Sequence, residues 1–188
     1  MAEHLRRRRW LAGAAGLSAL GTVAGTSAAR SMTRRVTTED PYLGEDFGLL
    51  DADRGCLVTT PDGVDLVARE VGPPDAPVTV VFAHGFCMNM GAFHFQRREL
   101  ARAWGDQVRM VFYDQRGHGK SGAAPSSSYT VAQLGCDLET VLSVLAPRGS
   151  VILVGHSMGG MTVLSHARQF PRRYGTSIVG AAIISSAA

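Results

Sequence analysis

Four short apolar runs, rich in β-branched residues, alternate along this chain with segments whose apolar residues have helical spacing. The runs are 78–83, 108–113, 151–154 and 178–184, and the predicted helices between them are 91–104, 130–145 and 157–170. Each run has apolar residues at most positions and on both faces, which is typical of strands buried on both sides in a parallel sheet that helices cover. Strands and helices that alternate in this way predict right-handed crossovers and an α/β fold.

A β-hairpin is predicted ahead of these runs. Two strand-like segments, 56–60 and 64–70, flank Pro61-Asp62-Gly63, and Asp-Gly between such segments is a strong turn signal. Residues 36–55 are polar and rich in turn formers, so we expect a linker there. The sequence therefore predicts a domain over residues 56–188.

The first 35 residues have the layout of an export signal or a membrane anchor. Four arginines at 6–9 precede 20 uncharged residues, 10–29, and then Arg30. The uncharged segment is long enough to cross a bilayer as a helix, and Arg7-Arg8-Arg9-Trp10-Leu11 resembles a twin-arginine export signal. We predict a signal or membrane-anchor helix in 1–35 and an exported or membrane-anchored protein. A disordered basic tail is the alternative.

The positive net charge comes from that same segment. From residue 36 onward the chain has 12 Lys and Arg against 15 Asp and Glu, so a basic surface for nucleic acid is not expected. The three cysteines are widely spaced, with no Cys-x-x-Cys pair and no zinc-type His spacing. We therefore predict free thiols, no bound metal and no cofactor.

Three polar turns follow predicted strands, at the sheet edge where α/β proteins bind ligands. They are His84-Gly85-Phe86, the loop 114–121 (Asp-Gln-Arg-Gly-His-Gly-Lys-Ser) and Gly155-His156-Ser157-Met158-Gly159. The third lies between a strand and a helix, as a Gly-x-Ser-x-Gly nucleophile elbow requires. A phosphate-binding loop is the alternative for a glycine-rich turn, but the chain has no Gly-x-x-x-x-Gly-Lys-Ser/Thr motif. A helix that opens after Ser157 also directs the N–H of Met158 toward an oxyanion on a substrate carbonyl.

Together the three turns resemble the α/β-hydrolase superfamily, in its serine esterase and lipase branch. The resemblance runs from Cys56 to the last residue. It implies that Ser157 is the catalytic nucleophile and that the backbone N–H groups of Phe86 and Met158 form the oxyanion hole. It also implies a small-molecule carboxylic ester as substrate, with lipid and acylglycerol esters included.

The resemblance assigns structural roles to other polar residues near these turns. It implies that Asp114 and the arginine two residues later brace their loop, so that neither Asp114 nor His118 belongs to a catalytic triad. His84 and His156 match positions flanking the oxyanion loop and the elbow. His94 and His166 lie within predicted helices, where packing or solvent-facing roles are expected.

The triad that this family uses is incomplete in residues 1–188. Its members follow the order Ser, Asp or Glu, His, but no acidic residue follows Glu139 and no histidine follows His166. We therefore expect an α/β-hydrolase fold truncated after its sixth strand and close to inactive by itself. An apolar last strand would also expose an unpaired edge, which predicts poor solubility or self-association.

Two alternative functions remain open at this stage. One is a non-catalytic, membrane-anchored binding module with a degenerate hydrolase fold. The other is a cofactor-free haloperoxidase-like or perhydrolase-like enzyme that uses the same nucleophile. Epoxide hydrolases and haloalkane dehalogenases are disfavoured, because those relatives have Asp where this chain has Ser157.

Overall fold

The computed structural model describes residues 40 and 42–187, in which six strands form one sheet and three α-helices cover it. The strands are β1 (Arg54–Thr59), β2 (Asp65–Val71), β3 (Val78–Ala83), β4 (Val108–Tyr113), β5 (Ser150–His156) and β6 (Ile178–Ile184). The α-helices are α1 (His94–Trp104), α2 (Val131–Leu145) and α3 (Met158–Gln169). Short 3-10 turns cover Leu49–Ala52, Met90–Phe93, Gly105–Gln107, Ser126–Ser128 and Pro171–Arg173.

The sheet is mixed, with strand order β1-β2-β4-β3-β5-β6. The hairpin β1-β2 is antiparallel and joins the sheet antiparallel to β4, whereas β4, β3, β5 and β6 are mutually parallel. The predicted α/β fold is therefore confirmed, and each predicted strand is present. β1 starts at Arg54, two residues before the predicted start of the domain.

Alternation along the central strands explains why they are apolar at nearly every position. In β3, Val81 and Ala83 belong to a core with α2 and α3, whereas Val80 and Phe82 belong to a second core on the α1 side. The Phe82 ring stacks on Phe112 of β4, with 4.4 Å between ring centroids. Both faces of the sheet are thus covered, as consecutive apolar residues indicate.

The strand order places the topological switch point of the sheet between β3 and β5. β4 lies on one side of β3 and β5 lies on the other. Strands that follow β4 in sequence are therefore added on the opposite side of β3 from β4. The connecting helices accordingly pack on opposite faces, α1 on one and α2 with α3 on the other. Open α/β sheets bind ligands at such a point, just beyond the strand ends.

β6 is the edge strand of the described sheet, and it is apolar and exposed. Only its first residue, Ile178, is buried, while Val179, Ile183 and Ile184 are 56%, 40% and 46% exposed. This is the edge for which the sequence predicts self-association, and that association stays a prediction.

The predicted leader 1–35 lies outside the described residues, as do residues 36–39 and 41 of the predicted linker 36–55. Residues 40 and 42–45 form a short turn of their own, in which the Leu43 N–H donates to the Asp40 carbonyl (3.0 Å). Of the helices within residues 40 and 42–187, none has the length and apolar character to cross a membrane. The domain boundaries stay predictions.

Candidate active site

Ser157 lies at the turn between β5 and α3 in a strained backbone conformation. Its φ of 52° and ψ of −117° place it in a region that residues with a side chain rarely occupy. Hydrogen bonds hold it on both sides: its N–H donates to the Ile184 carbonyl (2.9 Å), and its carbonyl accepts from the Ser186 hydroxyl (2.7 Å) and from the Gly160 N–H (2.9 Å). Such strain is typical of functional sites, where the surrounding structure maintains it.

Two glycines of the elbow are required by the close approach of backbone to backbone. A Cβ on Gly155 would lie 2.6 Å from the carbonyl carbon of Gly159, and one on Gly159 would lie 2.8 Å from the carbonyl oxygen of His84. Neither neighbour is a flexible side-chain tip, so a larger residue would force the backbone apart. The glycine spacing therefore lets α3 start directly against the end of β3.

The loop after β3 is in contact with this turn. A Cβ on Gly85 would lie 3.3 Å from Cβ of Ser157 and 3.1 Å from Nδ1 of His156. The next residue, Phe86, and the first residue of α3, Met158, are the two predicted oxyanion donors. Within the described part of the chain, neither of their N–H groups donates a hydrogen bond. Two free N–H groups on segments beside a strained serine could stabilise an oxyanion, but the roles of Ser157, Phe86 and Met158 stay predictions.

Asp114 uses both carboxylate oxygens to hold backbone. Oδ1 accepts from the N–H of Met90 and Oδ2 from the N–H of Lys120, each at 2.7 Å, and Asp114 is only 2% exposed. The Ser121 hydroxyl donates to the Asp114 carbonyl (2.7 Å). The side chain thus ties the loops after β3 and β4 together, which agrees with the predicted bracing role.

Arg116 is a second brace and is fully buried. Its guanidinium donates two 2.6 Å hydrogen bonds to the Asp137 carboxylate on α2, and two more, of 2.9 and 3.1 Å, to Asp62 in the β1-β2 turn. The bonds to Asp137 raise the pKa of Arg116, and the bonds from Arg116 lower the pKa of Asp62 to about 2. The loop after β4 is thereby joined to the hairpin and to α2.

Three histidines of the described residues, His84, His118 and His166, are hydrogen-bonded to groups other than the serine hydroxyl. His118 Nδ1 bonds to the Arg116 carbonyl (3.0 Å), and buried His166 bonds through Nε2 to Glu139 (2.9 Å) and through Nδ1 to Tyr174 (3.0 Å). Burial lowers the pKa of His166. Among residues 40 and 42–187, no histidine or carboxylate is hydrogen-bonded to the hydroxyl of Ser157. The described residues thus provide a nucleophile candidate without a bonded base.

Sequence reasoning missed two buried polar residues behind the site. Gln115 is 1% exposed and Thr162 of α3 is 0% exposed, and the Thr162 hydroxyl donates to Oε1 of Gln115 (2.7 Å). Gln115 lies inside the polar loop 114–121, so its position was a signal that the sequence offered. No sequence motif around Thr162 indicates that its side chain is part of the site. No cluster of His, Cys, Asp or Glu in the described residues has a metal-binding arrangement. The expected lack of a cofactor stays a prediction.

The chain is similar in sequence to a known protein family. A family model described as "alpha/beta hydrolase fold" matches residues 78–187. The chain is 34% identical over 114 residues to "Probable oxidoreductase EphD" of Mycobacterium tuberculosis, covering 60% of this chain and 18% of that protein. It is 33% identical over 114 residues to "Bifunctional esterase/perhydrolase DCH" of Acinetobacter calcoaceticus, covering 61% of this chain and 39% of that protein.

A similar solved structure is the esterase EaEST of Exiguobacterium antarcticum. It superposes with a TM-score of 0.62 at 26% identity, and the match covers 72% of this chain and 46% of EaEST. The chain thus spans less than half the length of each of these three relatives.

Proposed function

The chain belongs to the α/β-hydrolase family, and from that premise we propose that it is part of a serine hydrolase that acts on carboxylic esters. The observation that carries the proposal is the strained backbone of Ser157, at a strand-to-helix turn that the oxyanion loop contacts. Esterase-type relatives support the same reaction class.

In the proposed mechanism, Ser157 Oγ attacks the carbonyl carbon of the ester and its proton passes to a general base. The resulting oxyanion accepts hydrogen bonds from the N–H groups of Phe86 and Met158. When the tetrahedral intermediate collapses, the alcohol leaves with the proton from the base and an acyl-serine remains. Water then attacks the acyl group, the base again takes a proton, and the acid product is released as the Ser157 hydroxyl re-forms.

The general base and the acid that orients it lie outside the described residues in this proposal. Asp114 is fully engaged with backbone N–H groups, and His166 is buried against Glu139. A serine without its base keeps only about 10³ to 10⁴ of rate enhancement over water, from the oxyanion hole and from binding. Residues 1–188 alone are therefore proposed to be nearly inactive.

The side chains around the oxyanion loop favour an ester with an apolar chain. Phe86 is 69% exposed and Met88 is 42% exposed, and both lie within three residues of Gly85, which contacts Ser157. Exposed apolar side chains next to a reaction centre are suited to an acyl or alkyl chain, so acylglycerols are proposed among the substrates.

Export or membrane anchoring through 1–35 is part of the same proposal.

Perhydrolysis is a second candidate activity. The observation that favours it is the 33% identity to a bifunctional esterase/perhydrolase. Hydrogen peroxide would replace water in the attack on the acyl-serine and release a peracid, with the same nucleophile and oxyanion donors. Peracid formation from acetate and peroxide, measured beside ester hydrolysis, distinguishes the two activities.

A fluorophosphonate probe tests the proposal directly, because it reacts only with an activated serine. We expect it to label the native protein isolated from its source cells, and to lose that labelling in a Ser157→Ala variant. A native protein that is not labelled would contradict the hydrolase assignment and favour the non-catalytic alternative. Labelling of residues 1–188 expressed alone would contradict their proposed inactivity.

A further inference from the structure

Three buried polar residues are joined, through side-chain and backbone groups, by a continuous series of hydrogen bonds behind the candidate oxyanion hole. The Thr162 hydroxyl donates to Oε1 of Gln115 (2.7 Å), and Nε2 of Gln115 donates to the His84 carbonyl (2.6 Å). The Gln115 backbone N–H donates to Nε2 of His84 (3.0 Å), and Nδ1 of His84 is bonded to the Gly85 carbonyl (2.8 Å). All three side chains are at most 1% exposed. We call this chain the Thr162–Gln115–His84 relay.

The partners of the His84 ring determine its tautomer. A backbone N–H can only donate, so Nε2 of His84, which faces the Gln115 N–H, must carry no proton. A carbonyl oxygen can only accept, so Nδ1, which faces the Gly85 carbonyl, must be protonated. His84 is therefore the neutral Nδ1–H tautomer. Burial lowers the pKa of His84, and the charge of His118 adds to this effect, whereas the bond to the Gly85 carbonyl and the charge of Asp114 oppose it. The net direction is downward, so the ring is neutral near pH 7.

The bond to Gly85 fixes the direction of the Phe86 N–H. The Gly85 carbonyl accepts from His84 and also from the Met88 N–H (3.2 Å). This carbonyl and the Phe86 N–H belong to one peptide unit, which is planar and trans, so they point in opposite directions. Anchoring the oxygen on one side turns the N–H to the other side, where no described residue accepts its hydrogen bond.

The relay also reaches the helix that carries the other donor. Thr162 lies one turn after Met158 on α3, and its hydroxyl is 3.0 Å from the Met158 carbonyl. Through Gln115, the end of β4 is thus bonded to both donor segments, the β3 loop and the first turn of α3. A fully satisfied buried network of this kind holds its members in one arrangement.

We propose that the Thr162–Gln115–His84 relay positions the two oxyanion donors relative to each other, with His84 as the residue that directs the Phe86 N–H. The inference rests on the proposed serine hydrolase function. His84 and Gln115 are positioning residues in it, because neither contacts the reacting atoms.

The tautomer can be measured without any enzymatic activity. Long-range ¹H–¹⁵N NMR on imidazole-labelled protein should show His84 with a protonated Nδ1 and a bare Nε2. The ring should also become protonated at a lower pH than an exposed histidine, because burial lowers the pKa of His84. An Nε2–H tautomer, or an ordinary titration of His84, would overturn the inference, whatever the protein catalyses.

Two substitutions separate positioning from simple space filling. In His84→Asn the amide nitrogen replaces Nδ1 and still donates to the Gly85 carbonyl. In His84→Gln the amide oxygen replaces Nε2 and still accepts from Gln115, but the donor to Gly85 is lost. We expect His84→Gln to slow the turnover of ester by the native protein about 10²-fold, as for a lost oxyanion donor, with KM nearly unchanged. His84→Asn should slow turnover about 10-fold or less, because the Gly85 carbonyl keeps its donor.

His166→Gln is the matched control, since His166 is equally buried but lies in another cluster. It should lower the melting temperature and leave the turnover of the folded protein unchanged. If His84→Gln were as active as His84→Asn or more so, the positioning role would be wrong. If the native wild-type protein showed neither hydrolysis nor fluorophosphonate labelling, the proposed function would be refuted, and with it the positioning role of His84 in catalysis. The NMR result would still show whether His84 has the inferred tautomer.

Discussion

Asp114→Asn distinguishes a bracing carboxylate from a catalytic one. Both Asp114 oxygens accept backbone N–H bonds at 2.7 Å, from Met90 and from Lys120. The asparagine amide keeps one acceptor oxygen but turns its NH₂ toward the other N–H, which then has no partner. The remaining bond also loses its charge assistance.

The expected cost follows from these two bonds. A hydrogen bond to a charged group contributes about 1.5–3 kcal/mol, so losing one and weakening the other should lower the free energy of unfolding by about 2–4 kcal/mol. Domains of this size have about 5–15 kcal/mol in total, so the variant should still fold. Because Asp114 takes no part in the proposed mechanism, ester hydrolysis per folded molecule should change less than about 10-fold, whereas losing a triad acid costs about 10⁴.

Urea denaturation and the rate of ester hydrolysis, both measured on the native protein, test this prediction. Asp75→Asn is the control, because Asp75 is exposed and its loss of charge should change stability by less than about 0.5 kcal/mol. Suppose instead that stability is unchanged while turnover per folded molecule falls by about three orders of magnitude or more, on the scale of a lost triad member. That result would refute the reasoning and make Asp114 the triad acid.

Three further predictions concern the rest of the domain. The pKa of Asp62 falls from 3.8 to about 2 through its bonds with Arg116, so this pair adds stability above pH 3.8 that is lost as the pH falls toward 2. An Asp62→Asn variant should show a flatter dependence of Tm on pH over that range. The buried Tyr113 hydroxyl has no hydrogen-bond partner among the described residues, so Tyr113→Phe should leave the free energy of unfolding unchanged or raise it by up to about 1 kcal/mol, as calorimetry can show. Ile183→Lys places a charge on the exposed edge strand and should reduce self-association in sedimentation velocity, and a wild-type chain of 1–188 that is already monomeric would contradict the predicted association.

The sequence predicted the strands well because their burial is two-sided. Where both faces of β3 and β4 are covered, nearly every residue is apolar, and the pattern can be read without knowing the neighbours. The start of β1 was missed because Arg54 looks like linker, yet it pairs across the hairpin with Glu70 (2.7 Å). The residues next to Arg54 in sequence do not reveal this partner, because Glu70 lies 16 residues further along the chain.

The site shows the same division between local and long-range information. The elbow around Ser157 can be recognised from a short stretch of sequence, because Gly155 has to be small to leave room for the backbone of Gly159, four residues away. The bond between Gln115 and Thr162 joins residues 47 apart in sequence. The helix α1 starts at His94 rather than 91 because Asn89 caps a preceding 3-10 turn whose Met90 N–H is held by Asp114. These contacts exist only once the sheet has assembled.

The hydrogen bonds that Ser157 makes with the Ile184 carbonyl and the Ser186 hydroxyl couple its strained backbone to β6, an edge strand of the described sheet. Edge strands with few buried contacts open locally at lower free energy than core strands. Each time the end of β6 frays, Ser157 loses these two bonds and keeps only those that its carbonyl accepts from the first turn of α3. In residues 1–188, hydrogen exchange at the Ser157 amide should therefore follow that of β6 rather than that of β3 or β5.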